Sequence, residues 1–109
     1  MESMVRLTHL FINPADPAEF EDYFSSTYLP LLREIPGVLR TEISRVYGVP
    51  LGEVTVHAMI DQYFADEDSM HRAMASAGGK KLSRELMANP KIKMELLASI
   101  VAPVPGESA

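Results

Sequence analysis

The run Tyr23-Phe24-Ser25-Ser26-Thr27-Tyr28-Leu29-Pro30-Leu31-Leu32, followed shortly by Ile35-Pro36-Gly37-Val38, decides how this chain is read. Phe20, Phe24, Leu31 and Ile35 fall on one stripe at helical spacing, with Tyr28 and Leu32 flanking it, so the segment is a helix with one apolar face. Upstream, Asp16 offers an N-cap, Pro17 suits the first helical position, and Glu19 completes an approximate capping box. Downstream, Pro36-Gly37 stops the helix. Pro30 lies inside the pattern. It brings no amide hydrogen and crowds the preceding turn, so a kink is expected there.

Working outward, Val5 to Ile12 reads as a strand that ends in the turn signal Asn13-Pro14. After the helix, Leu39, Thr41, Ile43, Arg45 and Tyr47 alternate with Arg40, Glu42, Ser44 and Val46, the pattern of a half-buried strand. Gly48 to Gly52 is a loop, and Val54 to Phe64 is a third strand. Its alternation puts Val56, Ala58 and Ile60 on one face and Thr55, His57, Met59, Asp61 and Tyr63 on the other. Asp66 caps a second helix with Met70, Ala73, Met74 and Ala77 as its apolar stripe. Gly78-Gly79 reads as its break, Lys80 to Ala88 as a short helical region, and Leu96 to Val104 as the last strand, with Lys91 to Leu97 open to a helical start.

Strand, helix, strand, strand, helix, strand is the order of an α+β, ferredoxin-like βαββαβ fold: one four-stranded antiparallel sheet with both helices on one face. The third strand has large apolar residues on both faces, so neither is purely solvated. A homodimer, packing sheet against sheet, is expected to cover the second face. Residues 5–104 form a single domain, and 105–109, within the Pro/Gly/Ser-rich end of the chain, form a flexible tail.

Bulk composition narrows the function. The 109 residues are 47% hydrophobic and 23% charged, ordinary values for a globular fold. A net charge of −5 argues against nucleic acid, which needs a basic patch, and against anionic membrane surfaces. No cysteine is present, which removes disulfides and thiolate chemistry together. No apolar run approaches the ~20 residues of a membrane span, and the start Met1-Glu2-Ser3-Met4 is unlike a signal peptide, so cytoplasm is the default expectation.

The stretch Tyr28-Leu29-Pro30-Leu31, then Ile35-Pro36-Gly37-Val38 and Glu42-Ile43-Ser44-Arg45-Val46, resembles the EthD-type members of the dimeric α+β barrel superfamily. The opening strand that ends in Asn-Pro, and Ala75-Ser76-Ala77-Gly78-Gly79 after the second helix, extend the likeness from about Val5 to Val104. The resemblance implies a dimeric barrel fold and relatives that include isomerases, lyases, cofactor-free oxygenases and proteins without known activity. Where the family tends to carry His-x-Pro-Leu, this chain has Tyr28, so the family's histidine does not carry over. A phenol with a pKa near ~10 is a poor general base at neutral pH unless perturbed.

Four residues are candidates for catalysis. His57, mid-strand, has a side chain whose unperturbed pKa near ~6.5 suits proton transfer, although a core or interface histidine would read the same way. His9 lies on the neighbouring strand, facing the same cavity or the opposite side according to register. Tyr28, beside the Pro30 kink, suits holding a carbonyl or phenolate oxygen, or equally a core position with its hydroxyl at the rim. Asp61 is a carboxylate in an otherwise apolar strand, which calls for a partner such as Arg6 or Arg45, or for acid–base use. Phe24, Met59, Tyr63 and Met74 are candidates for lining a substrate cavity, with ordinary core filling as the plainer account. No metal site is expected: His9, His57 and Asp61 do not have the spacing of any metal motif. His71 reads as solvated, and Lys80-Lys81 as a surface turn rather than a phosphate loop.

The expectation is therefore a cofactor-independent isomerase, lyase, cyclase or oxygenase. It would act by proton transfer on a small apolar oxygenated compound such as an aromatic, polyketide or lactone. Two alternatives stand beside it: a non-catalytic dimer that binds a small hydrophobic molecule, and a haem-binding or haem-degrading protein with His9 or His57 as axial ligand.

Overall fold

The computed structural model describes residues 4–48, 50–53 and 55–106. Met4–Ile12 (β1), Arg40–Arg45 (β2), Val56–Phe64 (β3) and Met94–Val101 (β4) form one antiparallel sheet in the order β2-β3-β1-β4, the ferredoxin-like arrangement. The predicted start of the third strand at Val54 and the tail residues 107–109 lie outside the described residues, as do Met1 to Ser3.

Between β1 and β2 runs one helical path made of Pro17–Tyr23 (α1), a π-helical segment Phe24–Tyr28, and Leu29–Leu32 (α2). Asp16 caps it as expected, accepting from the amides of Ala18 and Glu19 at 3.1 Å each. The expected kink takes the form of the π segment. There the Leu29 amide reaches back to the Phe24 carbonyl, one residue further than in an α-helix. Pro30 has no amide to offer the widened turn, and Ser25 and Ser26 bond their hydroxyls to the carbonyls of Glu21 (2.9 Å) and Asp22 (2.6 Å).

Glu67–Ala75 (α3) is capped by Asp66, which accepts from the Ser69 amide at 2.7 Å. The helix break was expected at Gly78-Gly79 but occurs at Ser76. That residue caps Ala77–Ala88 (α4), and the two glycines form the first turn of α4 instead of ending α3. They are there for closeness: a Cβ on Gly78 would collide with the Glu34 carbonyl, and one on Gly79 with the carbonyls of Ala73 and Met74. Ala77, expected in the apolar stripe of α3, is exposed. The last strand starts at Met94 and ends at Val101, earlier than expected at both ends.

The core lies between sheet and helices. Val5, Leu7, Phe11, Ala58, Ile60 and Phe64 project from one sheet face onto Phe20, Phe24, Tyr28, Leu31, Met70 and Leu82. Among the described residues, no helix covers the other sheet face. Across it run Arg6, Thr8 and Leu10 of β1, Met59, Asp61 and Tyr63 of β3, and Leu97 and Val101 of β4. The molecule is accordingly only 18 Å through its shortest dimension, two layers deep.

Candidate functional site

Three buried polar side chains meet inside the helix-covered layer. His9 projects from the centre of β1, Tyr28 from the last residue of the π segment, and Gln62 from β3, and none is exposed beyond 1%. The Tyr28 hydroxyl lies 2.7 Å from His9 Nδ1, and Gln62 Oε1 lies 2.8 Å from His9 Nε2. An amide oxygen only accepts, so this placement puts the ring proton on Nε2, which donates to Gln62. Nδ1 then accepts from the Tyr28 hydroxyl. The hydroxyl's single proton is spent there, leaving Met94 Sδ as a close neighbour of the oxygen at 3.6 Å.

Burial sets the charge state of this chain of groups. Loss of water lowers the His9 pKa from 6.5 to about 4, against smaller raising effects from Gln62 and the Asp61 charge. Burial also pushes the Tyr28 phenol above its ordinary range, with a smaller contribution from Tyr23. At neutral pH the pair is therefore a neutral imidazole accepting from a neutral phenol. Aromatic rings hold it on the helix side: Phe11 meets Tyr28 edge to face at 4.9 Å, and Phe24 stacks on Tyr28 at 6.4 Å.

His57 does not share the face of Met59, Asp61 and Tyr63, as strict alternation predicts. Phe11 pairs with Ala58 and Ile12 with Val56, so His57 is the unpaired extra residue of a β-bulge. The bulge turns its ring to the helix side, edge-on to Phe20 at 5.1 Å and 3.9 Å from the Glu21 carboxylate. Glu21 is held below its ordinary carboxylate range, chiefly by Arg45, which grips both its oxygens at 2.9 Å.

The remaining candidates divide between the two sheet faces. Asp61 lies on the helix-free face, accepting from Thr8 Oγ1 at 2.5 Å with Arg6 Nε at 3.7 Å; Arg45 is engaged elsewhere. Tyr63, on the same face, donates to Glu42 at 2.8 Å beneath the Arg40 guanidinium, and Met59 is half-buried nearby. Phe24 and Met74 pack in the helix-side core, with Met74 half-buried. Asp61, Met59 and Tyr63 therefore do not face the same layer as His9, Tyr28, Phe24 and Met74 within one chain. The same division separates Asp61 from the two histidines, and among the described residues no three His, Asp or Glu side chains gather as a metal site would require. His71 is exposed on α3, and Lys81 pairs with Glu34 at 3.1 Å.

A cavity of about 350 Å³ opens at the end of the helix-sheet sandwich. Its apolar wall is Pro14, Ala15, Phe20, Tyr23 and Ile92, and its polar rim is Asp16, Glu19, Asn89 and Lys91. A second hollow of about 190 Å³ adjoins it, sharing Phe20, Lys91 and Ile92 and adding Ile12 and Lys93. The larger volume is in the range of small-ligand pockets, above ~300 Å³. Its lining reaches the buried pair through rings, since Tyr23 lies 6.3 Å from Tyr28 and Phe20 packs on Phe11 at 5.2 Å. Gln62 and Met94 were not singled out in the sequence. Gln62 carried a readable signal, a polar residue in phase with Ala58, Ile60 and Phe64 on the buried face of β3; Met94 carried none.

No family profile matches the sequence. An uncharacterised 11.0 kDa protein from the thcB-thcC intergenic region of Rhodococcus erythropolis is 29% identical over 83 residues, spanning 76% of this chain and 81% of that protein. The crystal structure of an ethyl tert-butyl ether D (EthD) family protein from Bacillus halodurans superposes with a TM-score of 0.82 at 30% identity, over 91% of this chain and 99% of that one. SnoaB, a cofactor-independent oxygenase from Streptomyces nogalater solved as a mutant, superposes with a TM-score of 0.63 at 22% identity, over 96% and 99%.

Proposed function

Because this chain belongs to the EthD family, we propose that it is a cofactor-independent enzyme moving a proton on a small apolar oxygenated compound such as an aromatic, polyketide or lactone. The observation that carries this reading is the buried Tyr28–His9 hydrogen bond of 2.7 Å, set on a π-helical turn, a feature that recurs at functional sites. The cofactor-independent oxygenase among its structural neighbours supports a small-molecule role for the fold.

The pair works as a relay. A substrate O–H or acidic C–H gives its proton to the Tyr28 oxygen while the Tyr28 proton passes to His9 Nδ1. The resulting imidazolium keeps its Nε2–H on the Gln62 oxygen. With a His9 pKa of about 4, the protonated form holds roughly one part in a thousand at neutral pH. The proton must therefore return promptly, which suits an isomerase, cyclase or lyase, or the brief anion that a cofactor-free oxygenase hands to dioxygen. The substrate enters through the 350 Å³ cavity, with Phe20 and Tyr23 against its apolar body.

The test is proton exchange with solvent, read by NMR in D₂O on 2-tetralone and an aromatic β-diketone. The chain should speed deuterium uptake at the acidic carbon, and Tyr28→Phe and His9→Asn should each remove most of that gain. No acceleration by the wild type favours the second reading, a non-catalytic binder of small hydrophobic molecules. That reading draws on one feature: His9 and Tyr28 are sealed, and neither lines the cavities described above. A haem ligand role fits His9 poorly, because both ring nitrogens are already bonded. The helix-free sheet face and the exposed Leu97 on it support a homodimer built sheet to sheet.

A further inference from the structure

We infer that Met94 is the residue that decides which ligands reach the buried Tyr28 hydroxyl, a reading that rests on the proposed relay. Met94 follows Lys93, which lines the smaller hollow, and sits on the helix-side face of β4 directly opposite Phe11. Its sulfur lies 3.6 Å from the Tyr28 oxygen. Ile92, two residues earlier, walls both cavities, and Phe20, which walls both from the other side, packs on Phe11. The thioether thus lies against the one oxygen of the relay that a substrate must touch, one residue along β4 from the wall of the smaller hollow.

The residue type matters. Met94 is only half-buried and packs against the core from its rim, and β4 is an edge strand with exposed neighbours Leu96 and Leu97. An unbranched side chain with three rotatable bonds can swing toward that open edge without disturbing the sheet, where a branched one cannot. The Tyr28 side is rigid by contrast, clamped by Phe11, Phe24 and His9. A ligand oxygen therefore reaches Tyr28 by displacing Met94, and the ligand's length and stiffness are limited by how far Met94 moves.

The experiment follows 1-naphthol, a fluorescent aromatic alcohol, by stopped flow against the full chain, with far-UV CD as the check on folding. Met94→Ala should raise the association rate about tenfold, and Met94→Leu, similar in volume but branched, should lower it. A purely structural methionine would slow or weaken binding in both variants alike, so equal directions or no change in folded protein overturn the inference. Tyr28→Phe tests the relay separately. It should weaken 1-naphthol about fivefold through the lost hydrogen bond while leaving the association rate of wild type unchanged. Equal directions at Met94 with the fivefold loss in Tyr28→Phe would overturn the gate alone, whereas opposed rate changes with no effect of Tyr28→Phe would overturn the docking of a ligand oxygen at Tyr28 and the inference with it.

Discussion

Removing the titration of His9 should change how stability depends on pH. In the fold His9 is buried and neutral, with its pKa lowered to about 4 from an unfolded value of 6.5. As pH falls below the unfolded value, the unfolded chain takes up a proton that the folded chain refuses, so stability is lost between about pH 6.5 and pH 4. The slope through that window is roughly 1.4 kcal/mol per pH unit. From about pH 8 down to about pH 5 the loss sums to about 2 kcal/mol. Glu21 and Asp66, held low by Arg45 and by the Ser69 amide, give up their stabilisation only below their ordinary values of 4.5 and 3.8, so the upper part of the window belongs to His9. Urea unfolding followed by CD at fixed protein concentration, in wild type and His9→Asn, reads this directly. Asparagine retains an acceptor for Tyr28 but does not titrate, so its stability should be lower at neutral pH and flat from about pH 8 to about pH 5. A wild type that is equally flat, or a variant that keeps the wild-type slope, would refute a buried neutral His9.

Gly78→Ala should destabilise by about 1–3 kcal/mol in thermal or urea unfolding, because the new methyl meets the fixed carbonyl of Glu34 rather than a movable side chain. Leu97→Arg, on the helix-free sheet face, should convert a dimer to a monomer in size-exclusion chromatography with light scattering while leaving the CD spectrum intact; a monomeric wild type would refute the sheet-to-sheet dimer. Arg45→Ala should cost under about 1 kcal/mol despite its bidentate contact with Glu21, since both partners stand in solvent.

Much of the architecture was legible because its signals are local. The stripe from Phe20 to Ile35 and the caps at Asp16 and Asp66 each depend on residues a few positions apart, and the fold keeps them. The half-buried alternation expected of β2 is not kept, because β2 is an edge strand, with Ile43 and the preceding Leu39 exposed. The pair Gly78-Gly79 misleads for the same reason. Locally two glycines weaken a helix, but the close approach of α4 to Glu34 and to the end of α3 makes any larger residue costly there, and packing outweighs propensity.

The candidate site followed a different rule. The sequence named His9 and Tyr28 but could not join them, since they are 19 residues apart and meet only once the π turn and the sheet register are set. Gln62 is 53 residues from His9, and its contact depends on β1 and β3 pairing in one register and not the next. His57 shows how sharp that dependence is: a single extra residue at the bulge moved it to the opposite face from the one alternation predicts, away from Asp61 and Tyr63. Residue types and their periodicity determined the order of elements and the greasy interior of this protein. Which polar groups share that interior, and in what charge state, was decided by tertiary structure, because register, bulges and burial are properties of strands in contact and not of any one strand.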